Sequence, residues 1–344
     1  MKASFALTTT VAALFAVVAP NVSQAAASPP LVHLDKRIIA GTTVASGKYP
    51  FAVRLNIQRG EDEYLCGGSL LLDNCVVTAA HCLVDADTNA IAEPHTVSVC
   101  YGSNNVLEQT CTTALNVTVH RQYNPDTISN DIALLQIKPL TLKTGSVETV
   151  PVYTGQLAEK QTLTTMGWGK TTNNSTALPS TLMSVDIEIG TAKTCRVANP
   201  DYSTPNGPEV CSANALTPGK DSCQGDSGSP TIVNVDGIVY LAALTSSGTD
   251  PKNPGSADCA TSDGLAFYTH VNYFMSFIAL TTGKPPSSFT GNQKSSTTTG
   301  SDSGPSPTSS SGNNNNNSAA GSTISGTATV LSSLAMAIIL TFSI

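Results

Sequence analysis

The chain has 344 residues and a formal net charge of −7, with 17 Lys plus Arg against 24 Asp plus Glu. It has no basic run, which speaks against nucleic acid as a partner. Nine cysteines point to an oxidising compartment.

Residues 1–27 carry Lys2, an apolar run over 11–19 and small residues around Ser23 and Ala25, the pattern of a secretory signal peptide. The apolar run is too short for a bilayer span. Residues 28–37 end in Lys36-Arg37, directly before Ile38-Ile39-Ala40-Gly41. Residues 51–57 alternate apolar and polar side chains like a half-buried strand. Residues 97–100 and 111–119 read as neighbouring strands, which makes Cys100–Cys111 a candidate bridge. Cys75 lies in an apolar run and reads as a buried, inert thiol. Asp131 precedes the apolar run 132–137, which sets its carboxylate at the start of a buried strand. Residues 185–189 alternate as another strand, and Trp168, the lone tryptophan, reads as a packing residue. Val271, Phe274, Met275 and Ile278 recur at helical spacing, so a C-terminal amphipathic helix is predicted, its apolar stripe facing the core.

Beyond residue 280 the composition changes. Residues 281–318 are Ser, Thr, Gly, Pro and Asn with hardly an apolar side chain, a stalk that cannot bury a core. In 319–344, small residues and a polar spacer lead into an apolar stretch over 330–344, the order of a GPI-attachment signal. A spanning helix fits less well, because about 15 residues barely cross ~30 Å and no Lys or Arg follows. Asn21, Asn116, Asn173, Asn174 and Asn316 begin Asn-x-Ser/Thr sequons, and those beyond the signal peptide are candidate glycan sites.

Three segments carry chemistry. They are Val77-Thr78-Ala79-Ala80-His81-Cys82, Asn130-Asp131-Ile132-Ala133-Leu134-Leu135, and Lys220-Asp221-Ser222-Cys223-Gln224-Gly225-Asp226-Ser227-Gly228-Ser229-Pro230. A serine hydroxyl is a poor nucleophile at neutral pH and needs a base within hydrogen-bond reach. A histidine with a near-neutral pKa suits that role, and a buried carboxylate can fix its tautomer and stabilise the imidazolium. In sequence and order the three segments resemble the His, Asp and Ser signatures of the chymotrypsin-type (trypsin-like) serine proteases. The resemblance covers about residues 38–280.

That resemblance implies an all-β fold of two antiparallel six-stranded β-barrels with a C-terminal helix. It implies His81, Asp131 and Ser227 as catalytic residues, and the backbone N–H groups of Gly225 and Ser227 as an oxyanion hole. Ser246 corresponds to a family serine that hydrogen-bonds the buried aspartate. Asp221 stands at the floor of the primary pocket, where an acid selects Arg or Lys, with Ser222, Ser246, Gly248 and Ala266 around it. Cleavage after Arg37 would free the Ile38 amine to pair with Asp226. The family's bridges imply Cys66–Cys82, Cys195–Cys211 and Cys223–Cys259, beside Cys100–Cys111.

Departures accompany the match. Ala40 stands where glycine is commoner, Ser247 where the family usually has tryptophan, and Ala266 where glycine usually lines the pocket. The segment 249–258 is longer than usual. No metal or cofactor is expected: residues 103–109 are too poor in acidic side chains for a calcium loop, and His33, His95, His120 and His270 read as solvent or packing residues.

The domain order expected is signal peptide 1–27, propeptide 28–37, protease domain 38–280, stalk 281–318 and anchor signal 319–344. The function expected is a secreted, GPI-anchored monomeric endopeptidase cutting after Arg or Lys, with protein or peptide substrates and protein protease inhibitors as partners. The alternative is a protease-like binding or inhibitor protein; the complete triad argues against it, and the altered pocket wall for it. A stalked adhesin would explain the tail and leave the triad unexplained.

Overall fold

The computed structural model describes residues 38–291. The expected signal peptide, propeptide, anchor signal and residues 292–318 of the stalk lie outside the described residues, as do Arg37 and His33.

A short strand β1 (Thr42–Thr43) precedes the first group of strands. These are β2 (Ala52–Arg59), β3 (Asp62–Leu72), β4 (Cys75–Thr78), β5 (Val97–Tyr101), β6 (Thr110–Thr113), β7 (Asn116–Val119) and β8 (Ala133–Gln136). They pair antiparallel in the order β6-β5-β2-β3-β4-β8-β7. The two ends of that order, β6 and β7, are successive pieces of one chain segment broken only at Ala114 and Leu115. The seven pairing segments therefore amount to six strands that return on themselves.

The second group comprises β9 (Thr162–Gly167), β10 (Met183–Glu188), β11 (Glu209–Ala213), β12 (Pro230–Val235), β13 (Ile238–Thr249) and β14 (Leu265–His270). The order is β1-β10-β9-β12-β13-β14-β11, all antiparallel. A bridge between Ile189 and Ser212, with the Gly190 N–H donating to the Cys211 carbonyl at 2.8 Å, joins the end of β10 to β11. Closure of this kind leaves few unpaired edges. The segment β1, lent from the start of the described chain, makes the seventh. The two-barrel expectation is met.

Alternation dictates the interior. In β2 the side chains of Val53, Leu55 and Ile57 are buried between less buried neighbours. Each fully buried aliphatic of this size contributes about 1.5–3 kcal/mol. Leu55, Ile57, Leu70, Ile132 and Leu135 belong to a cluster that continues into Trp168, Leu244 and Ile278, so apolar packing crosses the seam between the barrels. A second cluster, with Ile38, Leu163, Met183, Val185, Val210 and Tyr268, fills the other barrel.

The predicted closing helix is present, in two parts. Val271–Phe274 is a 3-10 turn that leads into α2 (Met275–Thr282), and Val271, Phe274, Met275 and Ile278 all face inward. Before it, α1 (Ala192–Cys195) is a single short turn, and after it α3 (Ser287–Thr290) follows. Phe289 is only 2 % exposed, and its carbonyl accepts the Val152 N–H at 2.6 Å. The packed chain thus runs past residue 280, because one aromatic side chain anchors an otherwise polar stretch.

Candidate active site

His81 sits in a 3-10 turn, Ala80–Cys82, directly after β4. Ala79 and Ala80 are fully buried and seat the turn in the core of the first barrel. Cys66–Cys82 ties it to β3, a bridge worth about 2–4 kcal/mol. Arg59 braces it from the other side, its Nη2 donating to the carbonyls of Cys82 (2.9 Å) and Val84 (3.1 Å). Asp131 arrives from the turn before β8, in which Asn130 adopts a left-handed φ of 55°.

The two side chains meet at 2.8 Å, His81 Nδ1 to Asp131 Oδ2. The His81 backbone N–H donates to Oδ1 at 2.8 Å, and Ser246 Oγ donates to Oδ2 at 2.6 Å. Thr269 Oγ1 donates to the Asp131 carbonyl at 2.8 Å. With Nδ1–H directed at the carboxylate, Nε2 is the ring's basic atom. Burial opposes both charges. The Asp131 carboxylate overcomes it at His81 and pushes the imidazole pKa up, against the Arg59 charge. At Asp131, the charge and hydrogen bonds of His81 and the Ser246 bond overcome burial and hold the carboxyl below its usual range.

Ser246 reaches Asp131 because of an irregularity in β13. The β13–β14 register shifts between Thr245 and Ser247, and a bulge of this kind re-aims the side chain at its centre.

Ser227 lies in a tight turn fastened at four points. The Asp226 N–H donates to the Cys223 carbonyl (2.9 Å), Ser229 N–H to the Asp226 carbonyl (3.0 Å), Gly228 N–H to the Thr245 carbonyl (2.7 Å) and Gly67 N–H to the Ser227 carbonyl (2.7 Å). The last bond brings the turn to the histidine: Gly67 follows Cys66, which is bridged to Cys82, the residue after His81. Gly228 has φ 73°, and a Cβ there would fall 2.6 Å from the Gly67 carbonyl oxygen. Any side chain would break this contact. Among the described residues, the N–H groups of Gly225 and Ser227 are engaged by no protein acceptor.

Beside the serine, Asp226 is fully buried. Its Oδ1 accepts the Gly169 N–H (2.7 Å) and its Oδ2 the Cys223 N–H (2.9 Å). A Cβ on Gly169 would stand 2.6 Å from the carboxylate. No cation lies within ion-pair distance of Asp226 among the described residues, and burial pushes its pKa up to about 7.

A cavity of about 210 Å³ opens next to Ser227. Every residue expected around the pocket lines it: Asp221, Ser222, Ser246, Gly248 and Ala266. So do Ser256, Ala257 and Asp258 of the lengthened segment, together with Ser247 and Asn214. Asp221 is 8 % exposed, and burial raises its pKa against hydrogen bonds from the Ala260 N–H and the Asn214 amide and a weaker pull from the adjacent Ser222 N–H, which makes no full hydrogen bond. Cys223–Cys259 joins the serine turn to the cavity wall, and Asn173 holds that wall with a reciprocal pair of bonds to the Cys259 N–H (2.8 Å) and carbonyl (3.2 Å).

All four expected bridges form, including Cys100–Cys111 across β5 and β6 and Cys195–Cys211. Cys75 is a buried free thiol whose pKa burial pushes up to about 12. Cys66, His81 and Cys82 offer three ligand atoms within 4.8 Å of one another, but both sulfurs are spent in the disulfide. His120 packs edge-on against Phe274 and Phe277, His270 is buried with Nδ1 at 3.0 Å from the Gly207 carbonyl, and His95 is exposed. Arg59, Thr269 and Asn214 were not foreseen as parts of the site.

The Trypsin family model matches residues 38–278. Brachyurin of Leptuca pugilator is 31% identical over 254 residues, which cover 72% of this chain and 100% of the relative. Trypsin of Xenopus laevis is 33% identical over 207 residues (60% of this chain, 80% of the relative), and trypsin of Sus scrofa 31% over 207 residues (60% and 84%). With two antiparallel barrels, a His-Asp pair at their seam and a serine turn beside it, a match over most of the chain makes this protein a member of the trypsin family, a trypsin-like serine protease.

Proposed function

We propose that the protein is a secreted, surface-anchored endopeptidase, made as an inactive precursor, that cuts peptide bonds after Lys or Arg through an acyl-enzyme on Ser227. The observation that supports this reading is a hydrogen-bonded His81–Asp131 pair together with a cavity lined by both Ser227 and Asp221.

In this reading His81 Nε2 takes the Ser227 proton as Oγ attacks the scissile carbonyl carbon. The proton then goes to the leaving amine, and water repeats the sequence to release the acid. The unengaged N–H groups of Gly225 and Ser227 receive the oxyanion; one such donor is worth roughly 10²–10³ in turnover. The cationic side chain preceding the cut enters the cavity toward Asp221. An apolar side chain would leave that carboxylate buried and unpaired, which costs more than a misfit in volume.

Activation rests on Asp226 and Ile38. A fully buried carboxylate with only N–H partners calls for a cation, and the amine freed by cleavage after Arg37 would supply one. Ile38, already buried in the second barrel's core, has a φ of 45°. A β-branched residue is strained in that region, and cleavage before it would release the constraint. Export and anchoring rest on the composition of 1–27 and 319–344.

The test is to incubate processed protein with Lys, Arg, Phe and Ala reporter peptides beside Ser227→Ala. Hydrolysis of the Lys and Arg reporters is expected, falling by roughly 10⁴–10⁶ in the variant. A wild-type preference for Phe or Ala, or full activity in the variant, would overturn the reading.

A further inference from the structure

The carboxylate at the cavity floor is already half occupied. Asp221 Oδ2 accepts two N–H groups, Asn214 Nδ2 at 3.1 Å and the Ala260 backbone N–H at 3.0 Å. Two donors use both lone-pair directions of that oxygen. Oδ1 has no hydrogen-bond partner and is shut off from solvent.

Asn214 is not free to leave. It is buried, its Nδ2 also donates to the Thr261 carbonyl at 3.1 Å, and its backbone N–H donates to the Gly264 carbonyl at 3.0 Å. Both partners of Nδ2 are acceptors, so the NH₂ end of the amide must face them. Gly264 closes over it: a Cβ there would come within 2.6 Å of Nδ2.

The two cations that a carboxylate-floored pocket could take differ in what they require. A guanidinium is a planar fork that gains most when two N–H groups meet two free, coplanar carboxylate oxygens. An ammonium is a compact point charge with three rotatable donors, and it needs negative potential with any acceptors nearby. Here one oxygen is filled and the other sheltered, so the fork has no matching face. The charge remains, and Ser222 Oγ, which lines the same cavity 3.4 Å from Tyr268 Oη, supplies a hydroxyl acceptor. We infer that Asn214 is a specificity-determining residue that, by capping Asp221 Oδ2, makes the cavity prefer lysine to arginine side chains. This rests on the reading of Asp221 as the pocket floor.

The experiment compares kcat/KM on matched Lys and Arg peptide anilides for processed wild type and Asn214→Ala. It also measures inhibition by benzamidine, a forked cation, and by n-butylamine, an ammonium. Wild type is expected to favour Lys by about tenfold, the size of one lost directional contact. In Asn214→Ala the Lys-to-Arg ratio should fall by a similar factor, with tighter benzamidine binding and butylamine unchanged. The preference of wild type on substrates and inhibitors needs no variant, so poor folding of Asn214→Ala leaves the test intact. A wild type that prefers Arg, or a ratio unchanged in the folded variant, would overturn the role of Asn214 while leaving the pocket-floor reading standing. If neither Lys nor Arg is cut faster than Phe and neither cation competes, both readings fail together.

Discussion

Asp131 and Asp221 are both nearly sealed from solvent, 2 % and 8 % exposed, yet their pKa values move in opposite directions. Asp131 accepts from His81 twice and from Ser246, and lies beside a group that takes positive charge. Asp221 accepts from two neutral amides, and one oxygen goes without. Burial penalises both equally in kind; the partners decide the sign. The first carboxylate is finished within the fold and serves to position. The second keeps one oxygen without a hydrogen-bond partner.

The hardest test of this contrast is Asp131→Asn. The amide would present an N–H where His81 Nδ1–H needs an acceptor, and turnover should drop on the order of 10⁴-fold, the loss seen for this change in other Ser-His-Asp proteases. His81 would lose the charge that raises its pKa, so the acid limb of the pH–rate profile should move to lower pH. An unmoved limb would show that Asp131 does not govern the imidazole. Stability has a matching window. The raised His81 pKa stabilises the fold below the unfolded value near 6.5 and this is lost as pH rises through the folded pKa. The lowered Asp131 pKa stabilises it above about 3.8 and this is lost as pH falls.

Asp221→Ser should show the reverse pattern. Cleavage after Lys and Arg should fall by at least roughly 10³-fold, while Ser227 still reacts with a small phosphonylating reagent. Because burial raises the Asp221 pKa, its charge destabilises the fold above pH ~3.8, and the variant should melt higher than wild type at pH 7. The gap should close in acid. A variant that melts lower at pH 7 would place Asp221 in the class of Asp131.

The third carboxylate, Asp226, extends the comparison to the precursor. With a pKa of about 7, it makes uncut protein, held by Arg37→Gln, lose up to about 4 kcal/mol between pH 4 and 7, since the unfolded state gives up its proton first. Urea unfolding at the two pH values should show this slope, and the processed form should lack it. Equal slopes would mean that the freed amine does not pair there.

The smallest effect belongs to the strap that carries Ile39 to its bridge with Asp221. Ala40 lies there at φ 59°, a conformation that suits glycine. Ala40→Gly should add about 0.5–1 kcal/mol, a rise of a few degrees in Tm by calorimetry. No rise, or a fall, would mean the backbone pays nothing for the methyl.

Legibility in the sequence followed the range of the interaction. His81, Asp131 and Ser227 announce themselves because each sits in a local pattern several residues long. The strands of the first barrel show in their alternation for the same reason. Ser246 was readable only through the family, since the bulge that aims it depends on pairing with β14. Asn214 gave no signal: its role arises where Thr261, Gly264 and Asp221 converge, and nothing local marks a buried amide. Arg59, a cation at a strand end, looks like any surface residue until its bonds to Cys82 and Val84 are seen. Phe289 was hidden by averaging, as one aromatic in a Ser- and Thr-rich stretch hardly changes its composition.

The four disulfides have a further consequence, drawn from where they stop. Cys66–Cys82 and Cys100–Cys111 lie within the first barrel, Cys195–Cys211 and Cys223–Cys259 within the second. Each half is stapled to itself, and the seam is held by packing and by a few bonds such as Ser246 to Asp131, Thr269 to Asp131 and Gly67 to Ser227. His81 and Asp131 lie on one side of that unstapled joint, Ser227 and Ser246 on the other. Breaking any of these disulfides would therefore loosen one barrel without cutting a covalent link across the seam, where the two are aligned by shared apolar packing.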